Sequence, residues 1–199
     1  MAAKLIILRH GEKPKGKGSA LQLSRIGKQR ALALAAIFLG KGATRSLFDK
    51  NGPDAFFAIT SHTVETASPS AESWRLPVIA FCTTAGAAAK NAALDVRTAQ
   101  AAEKVRHALK RGKTVVMVWE HKRIAGATKP QTTLRELLNL GRLTAVPDKW
   151  PDDDFDTMWI FACDKNGRPA KFQPVPQHFH PKPKRKKRKP KGRPKKRQP

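Results

Sequence analysis

Leu5-Ile6-Ile7-Leu8-Arg9-His10-Gly11-Glu12-Lys13-Pro14 is the stretch on which the fold turns. Four consecutive aliphatic residues, ended by a polar turn, have the length and composition of a buried strand. In an open α/β sheet the carboxyl end of such a strand borders the ligand crevice. Arg9 offers a fixed fork of donors that matches a phosphate. His10 offers a nitrogen that can attack phosphorus when neutral. Gly11 lets a ligand approach the backbone closely. These residue types, in this order, suit phosphoryl transfer.

Downstream of this strand, Ser24 precedes Ile26, Ala31, Leu32, Leu34, Ala35, Phe38 and Leu39. That pattern predicts an N-capped amphipathic helix stopped at Gly40 or Gly42. Strands are expected at 55–60, 76–81, 114–119 and 156–163, and helices at 63–74 (with Pro69 inside), 86–111 and within 124–140 around Pro130. Asn166-Gly167 suggests a turn after the last strand. Strands alternating with helices predict an α/β fold, a three-layer α/β/α sandwich around a mostly parallel sheet.

The chain has 199 residues and a formal charge of +25. Its organisation reads as one domain, residues 1–180, and a tail, residues 181–199. The 12 Lys and Arg of the tail have no acidic counterpart, and without them 28 basic residues still face 15 acidic ones. Both parts therefore favour anionic partners. The tail holds almost nothing apolar and is expected to be disordered by itself. Cys82 and Cys163 lie in separate apolar segments and read as buried free thiols of a reducing compartment. No CxxC pair or Cys/His ligand spacing is present, so no metal and no cofactor are expected. The apolar runs are too short for a signal peptide core or a membrane span, which makes the cytoplasm the expected location and a membrane an unexpected partner.

Several ordered segments resemble the histidine phosphatase superfamily, the phosphoglycerate mutase-like phosphatases. They are Arg9-His10-Gly11-Glu12-Lys13-Pro14; Leu23-Ser24-Arg25-Ile26-Gly27; Thr63-Val64-Glu65-Thr66-Ala67; the strand 114–119 with Glu120-His121; and Trp150-Pro151 with Asp154-Phe155-Asp156. The resemblance implies a phosphoric monoester hydrolase with His10 as the nucleophile that becomes phosphorylated. It implies that Arg9 binds the phosphoryl oxygens and His121 completes the pocket, with a phosphorylated small molecule or phosphoprotein as substrate; Gly11 and His62 join Arg9, His10 and His121 as the expected phosphate-binding residues.

Two positions depart from that pattern. Where the superfamily places a second arginine, this chain has His62. Losing one charge-assisted contact costs ~1.5–3 kcal/mol, roughly ten- to a hundredfold in rate if it acts in the transition state. Arg25, Arg45 or Arg97 could fill the space, and His62 is either pocket lining or a solvated loop histidine. The general acid is the second departure. Lys122 occupies the position directly after the second histidine where some members carry an aspartate. Glu120 and Glu12 are the catalytic carboxylate candidates retained, with Glu65 and Asp95 behind them.

Other features read structurally. Trp119, Trp150 and Trp159 are expected to pack, and His107 to lie on the surface. Asp152, Asp153, Asp154 and Asp156 suit a solvated acidic turn, since the run lacks the Gly and terminal Glu of a calcium loop. His178 and His180 lack a third metal ligand. Lys191-Gly192-Arg193-Pro194-Lys195-Lys196 resembles an AT-hook, which implies contact with nucleic acid or another polyanion. Two functions follow: a phosphatase, or a weakened phosphatase-fold binding module tethered by its tail.

Overall fold

The computed structural model describes residues 3–14, 21–83, 89–126 and 132–181. The opening aliphatic run forms β1 (Lys4–Arg9). It is followed by α1 (Arg25–Leu34), β2 (Ala55–Ala58), α2 (Ser61–Ser73) and β3 (Val78–Ala80). Then come α3 (Lys90–Lys110), β4 (Thr114–Trp119), the short α4 (His121–Ile124) and α5 (Leu134–Leu137), and the hairpin β5 (Thr157–Cys163) and β6 (Pro169–Pro176).

The six strands form one sheet in the order β3-β2-β4-β1-β5-β6. The first four run parallel, and β5 and β6 add antiparallel pairs on the β1 side. Successive side chains of a strand face opposite sides. Leu5 and Ile7 therefore join Phe57, Val115 and Met117 under α3, while Ile6 and Leu8 join Phe56, Val116 and Val118 under α1 and α2. Both faces are covered, which is why β1 and β4 read as continuous apolar runs rather than alternating ones. This is the α/β/α sandwich expected from the sequence.

Local rules account for the helix ends. Ser24 caps α1 by accepting from the Gly27 N–H, and the helical path ends at Gly40 after one π turn, Ala35–Leu39. Thr60 and Thr63 form a reciprocal cap at the start of α2. Pro69 is tolerated inside that helix. Trp119, Trp150 and Trp159 are buried in the α3-side core, as expected, with Trp150 and Trp159 4.9 Å apart.

Several expectations are corrected. Among the described residues past Ile124, α-helix within 124–140 is confined to the single turn α5, and α4 precedes it at His121–Ile124. The strand β6 was not anticipated, because Pro169, Pro174 and Pro176 argue against a strand interior; it is an edge strand, where proline is permitted. Both cysteines are free, but Cys82 is exposed rather than buried, because it follows the sheet-edge strand β3. No described helix is long and apolar enough to cross a membrane. The AT-hook-like Lys191–Lys196 lies outside the described residues, as does the tail from residue 182 onward.

Candidate active site

Three adjacent parallel strands, β2, β4 and β1, end on the same edge of the sheet. Arg9 closes β1 opposite Trp119, the last residue of β4, and the His10 N–H donates to the Trp119 carbonyl at 3.3 Å. Glu120 and His121 therefore emerge beside His10 although they are more than a hundred residues away in sequence. His62 lies in the first turn of α2, just past β2. The ring centroids of His10 and His62 are 5.9 Å apart.

His10 is 1% exposed. Its Nδ1 lies 2.7 Å from the Gly11 carbonyl oxygen, which can only accept. Nδ1 therefore carries the proton of a neutral ring, and the lone pair sits on Nε2. Nε2 stands 3.3 Å from Glu120 Oε2, within ion-pair range but without the alignment of a hydrogen bond.

Glu120 is poised between opposing influences. Burial pushes its carboxyl pKa up, but His10 in its protonated form, Lys13 and the Thr60 hydroxyl outweigh burial and hold it well below the usual carboxylate range. The Thr60 hydroxyl donates to Oε1 at 3.0 Å and Lys13 Nζ sits at 3.3 Å. Adjacent strand residues point apart, yet Glu120 and His121 reach the same site. The strand ends at Trp119, and the chain turns into α4 with Glu120 as its extended N-cap.

The Nε2 of His121 is 2.9 Å from Asp152 Oδ1, and its Nδ1 is buried without a hydrogen-bond partner among the described residues. Burial and the charge of Arg9 lower the His121 pKa against the opposing pull of Asp152. The ring is therefore neutral near pH 7 and donates Nε2–H to the carboxylate. Arg9 donates through Nη1 to the Asp152 carbonyl at 2.5 Å and less closely to that of Asp154, and its guanidinium lies 3.7 Å over the Phe155 ring. The acidic turn is thus a wall of the site as well as a solvated segment. Asp154 also caps the backbone N–H groups of Asp156 and Thr157.

Gly11 and Gly27 explain how α1 comes to lie against this loop. A Cβ on Gly11 would stand 2.9 Å from the Gly27 carbonyl oxygen, and one on Gly27 would stand 2.4 Å from that of Glu12. The Gly11 N–H donates to Thr66 Oγ1, whose hydroxyl donates to the His62 carbonyl. Loop and α2 are thereby locked together. Close packing of chain against chain is one role the geometry gives Gly11.

The other sequence candidates are drawn elsewhere. Glu12 is gripped by the buried Arg30, whose Nη2 lies 2.7 Å from Oε1; Arg30 also binds Asp156 and Gln177 and stacks on Phe179. Glu12 is therefore a structural anchor rather than a free acid. Glu65 accepts from the Leu23 N–H, and Asp95 pairs with Arg123. Arg45 stacks on Phe38 and Arg97 binds Gln100, so neither fills the arginine position held by His62. His107 is exposed, as expected.

Sequence spacing gave no sign of a metal cluster, but the fold gathers three side chains of metal-ligating type. One ring nitrogen each from His10 and His121 and one carboxylate oxygen of Glu120 lie within 4.8 Å of one another. Ligands this far apart in sequence leave no local motif. Asp152 and Phe155 were likewise not anticipated as partners of His121 and Arg9, since a loop wall has no periodic signature.

No protein-family model matches the chain, and no curated protein matches it in sequence. Solved structures do share its architecture. One is the protein histidine phosphatase SixA complexed with tungstate, with a TM-score of 0.51 at 12% identity, covering 87% of this chain and 97% of that one. Another, from Escherichia coli str. K-12 substr. MG1655, is provisionally assigned as an alpha-ribazole-5′-P phosphatase, with a TM-score of 0.51 at 14% identity over 88% and 97%.

Proposed function

From this shared histidine phosphatase fold, we propose that the chain hydrolyses a phosphoric monoester through a phosphohistidine at His10. The observation that carries this is the Nδ1 contact with the Gly11 carbonyl, which leaves Nε2 as the nucleophilic lone pair. Arg9 and His62 offer donors for the phosphoryl oxygens, and His121 closes the pocket beside them. Positioning and electrostatics supply most of the catalysis of phosphoryl transfer.

Glu120 is ionised before substrate arrives. A phosphate dianion beside it raises its pKa, because a like charge disfavours the charged form. The protonated carboxyl then serves as acid. Nε2 attacks phosphorus, the P–O ester bond breaks, and the leaving oxygen takes the Glu120 proton. In the second step water attacks the phosphohistidine, its proton passes to the Glu120 carboxylate, and the P–N electron pair returns to Nε2. The tungstate held by SixA is a tetrahedral oxyanion of the kind such a cradle suits.

The test is radiolabelling of the full-length protein with phosphate esters (sugar phosphates, nucleotides, phosphopeptides), quenched in alkali, where phosphohistidine survives. Label on the wild type and none on a folded His10→Gln variant is expected. Label that persists in that variant, or none from any ester, defeats the proposal.

A second reading, an anion pocket without turnover tethered by its basic tail, takes support from His62 and from the engagement of Arg9 by backbone carbonyls. It predicts phosphate binding without label. It also predicts duplex DNA binding whose log–log salt slope, about −0.9 per phosphate neutralised, collapses when the chain ends at Phe179. An unchanged slope rejects the tether.

A further inference from the structure

We infer that His10, Glu120 and His121 form a site for one zinc-type transition-metal dication, bound by His10 Nε2, His121 Nδ1 and a Glu120 carboxylate oxygen. Both rings are arranged as metal-binding imidazoles usually are, with the outer nitrogen donating to a fixed acceptor and the inner one left bare. For His10 the outer acceptor is the Gly11 carbonyl, and for His121 it is the Asp152 carboxylate. Both inner nitrogens are buried without a hydrogen-bond partner among the described residues. An unsatisfied buried polar atom is unfavourable, so two of them converging on one carboxylate call for a shared partner.

The spacing fits an ion. Two ligands about 2.0–2.1 Å from a tetrahedral zinc stand about 3.3 Å from each other. His10 Nε2 and Glu120 Oε2 are 3.3 Å apart, and the three donor atoms all fall within 4.8 Å. Two nitrogens and one oxygen match three-ligand zinc sites, which leave a fourth position open. The nearby cations Arg9 and Lys13 oppose any dication held by charge alone, which disfavours magnesium and calcium. Imidazole ligation favours zinc, copper or nickel instead.

The regulatory consequence rests on the reading of His10 as the nucleophile. A bound ion takes the same Nε2 lone pair that attacks phosphorus, so metal and phosphorylation exclude each other.

The test uses full-length protein stripped with EDTA, titrated with Zn²⁺ by calorimetry and with Co²⁺ by visible absorption, without any phosphate ester present. One ion per chain and the d–d bands of four-coordinate cobalt are expected. His121→Ala should abolish stoichiometric binding. Asp152→Ala removes an exposed outer partner without threatening the fold, and should weaken affinity about 10–100-fold. His178→Ala and His180→Ala should leave it unchanged. Absent one-to-one binding, affinity indifferent to both His121→Ala and Asp152→Ala, or affinity that follows His178 or His180, overturns the site. Because binding is read without substrate, failure here is separate from failure to label His10. If both hold, saturating Zn²⁺ blocks labelling and EDTA restores it; labelling that proceeds at saturation rejects the shared lone pair.

Discussion

His62 is where this pocket differs most from an arginine-lined one. It is buried beside His10 and offers an imidazole where a bidentate guanidinium would supply two parallel bonds and a permanent charge. Replacing it with arginine should raise kcat/KM for p-nitrophenyl phosphate roughly ten- to a hundredfold, the converse of losing one charge-assisted contact. A fall would mean that the imidazole itself is needed. Glu120 is tested by leaving-group dependence. Glu120→Gln should slow alkyl phosphate hydrolysis about 10²–10⁴-fold, and aryl phosphates far less, because a phenolate leaves without a proton. Equal losses on both would assign Glu120 a role other than acid.

At the scale of elements, the packing of α1 on the His10 loop depends on two glycines. Gly27→Ala sets a methyl 2.4 Å from the Glu12 carbonyl oxygen, backbone that cannot swing aside. Overpacking of this kind costs about 1–3 kcal/mol, measurable as a lower denaturation midpoint with unchanged slope. The same elements show what a sequence reveals. β1, β4 and α1 were legible, since each follows a local rule: an unbroken aliphatic run, or a cap followed by helical spacing. Arg9, His10, His62, Glu120 and His121 were legible as residues, and the strand ends bring them to one edge. Glu120 was harder to place, because strand alternation points it away from His121 and only the turn into α4 reverses that. In sequence Glu12 is equally available; in the fold Arg30, eighteen positions along the chain, grips it. The walls at Asp152 and Phe155 and the strand β6 come from tertiary placement, which no local pattern encodes.

For the whole molecule, the site predicts how stability depends on pH. Glu120 has a folded pKa below its ordinary value of 4.5, so over that interval the unfolded chain binds more protons. The stability it contributes is complete above about pH 4.5 and is lost as pH falls toward the folded value. His121, held neutral below its ordinary 6.5, acts in the same direction: the unfolded chain gains its proton first, and stability falls as pH drops through that region. Thermal melts from pH 8 to 3 should show midpoints declining below about 6.5. His121→Gln should flatten the upper part of that decline and Glu120→Gln the lower, and unaltered profiles in both variants would contradict the linkage. The two rims of the sheet have a consequence of their own. One rim is β3, only three residues long. The other is β6, where Pro174 and Pro176 sit at alternate positions opposite Trp159 and Thr157. Alternate residues direct their amides to the same side, and proline has none to offer. Since β6 still bonds to β5, the missing amides fall on its outward side. An incoming strand would find few donors there, so the sheet resists growing by lateral addition into aggregates even at high concentration.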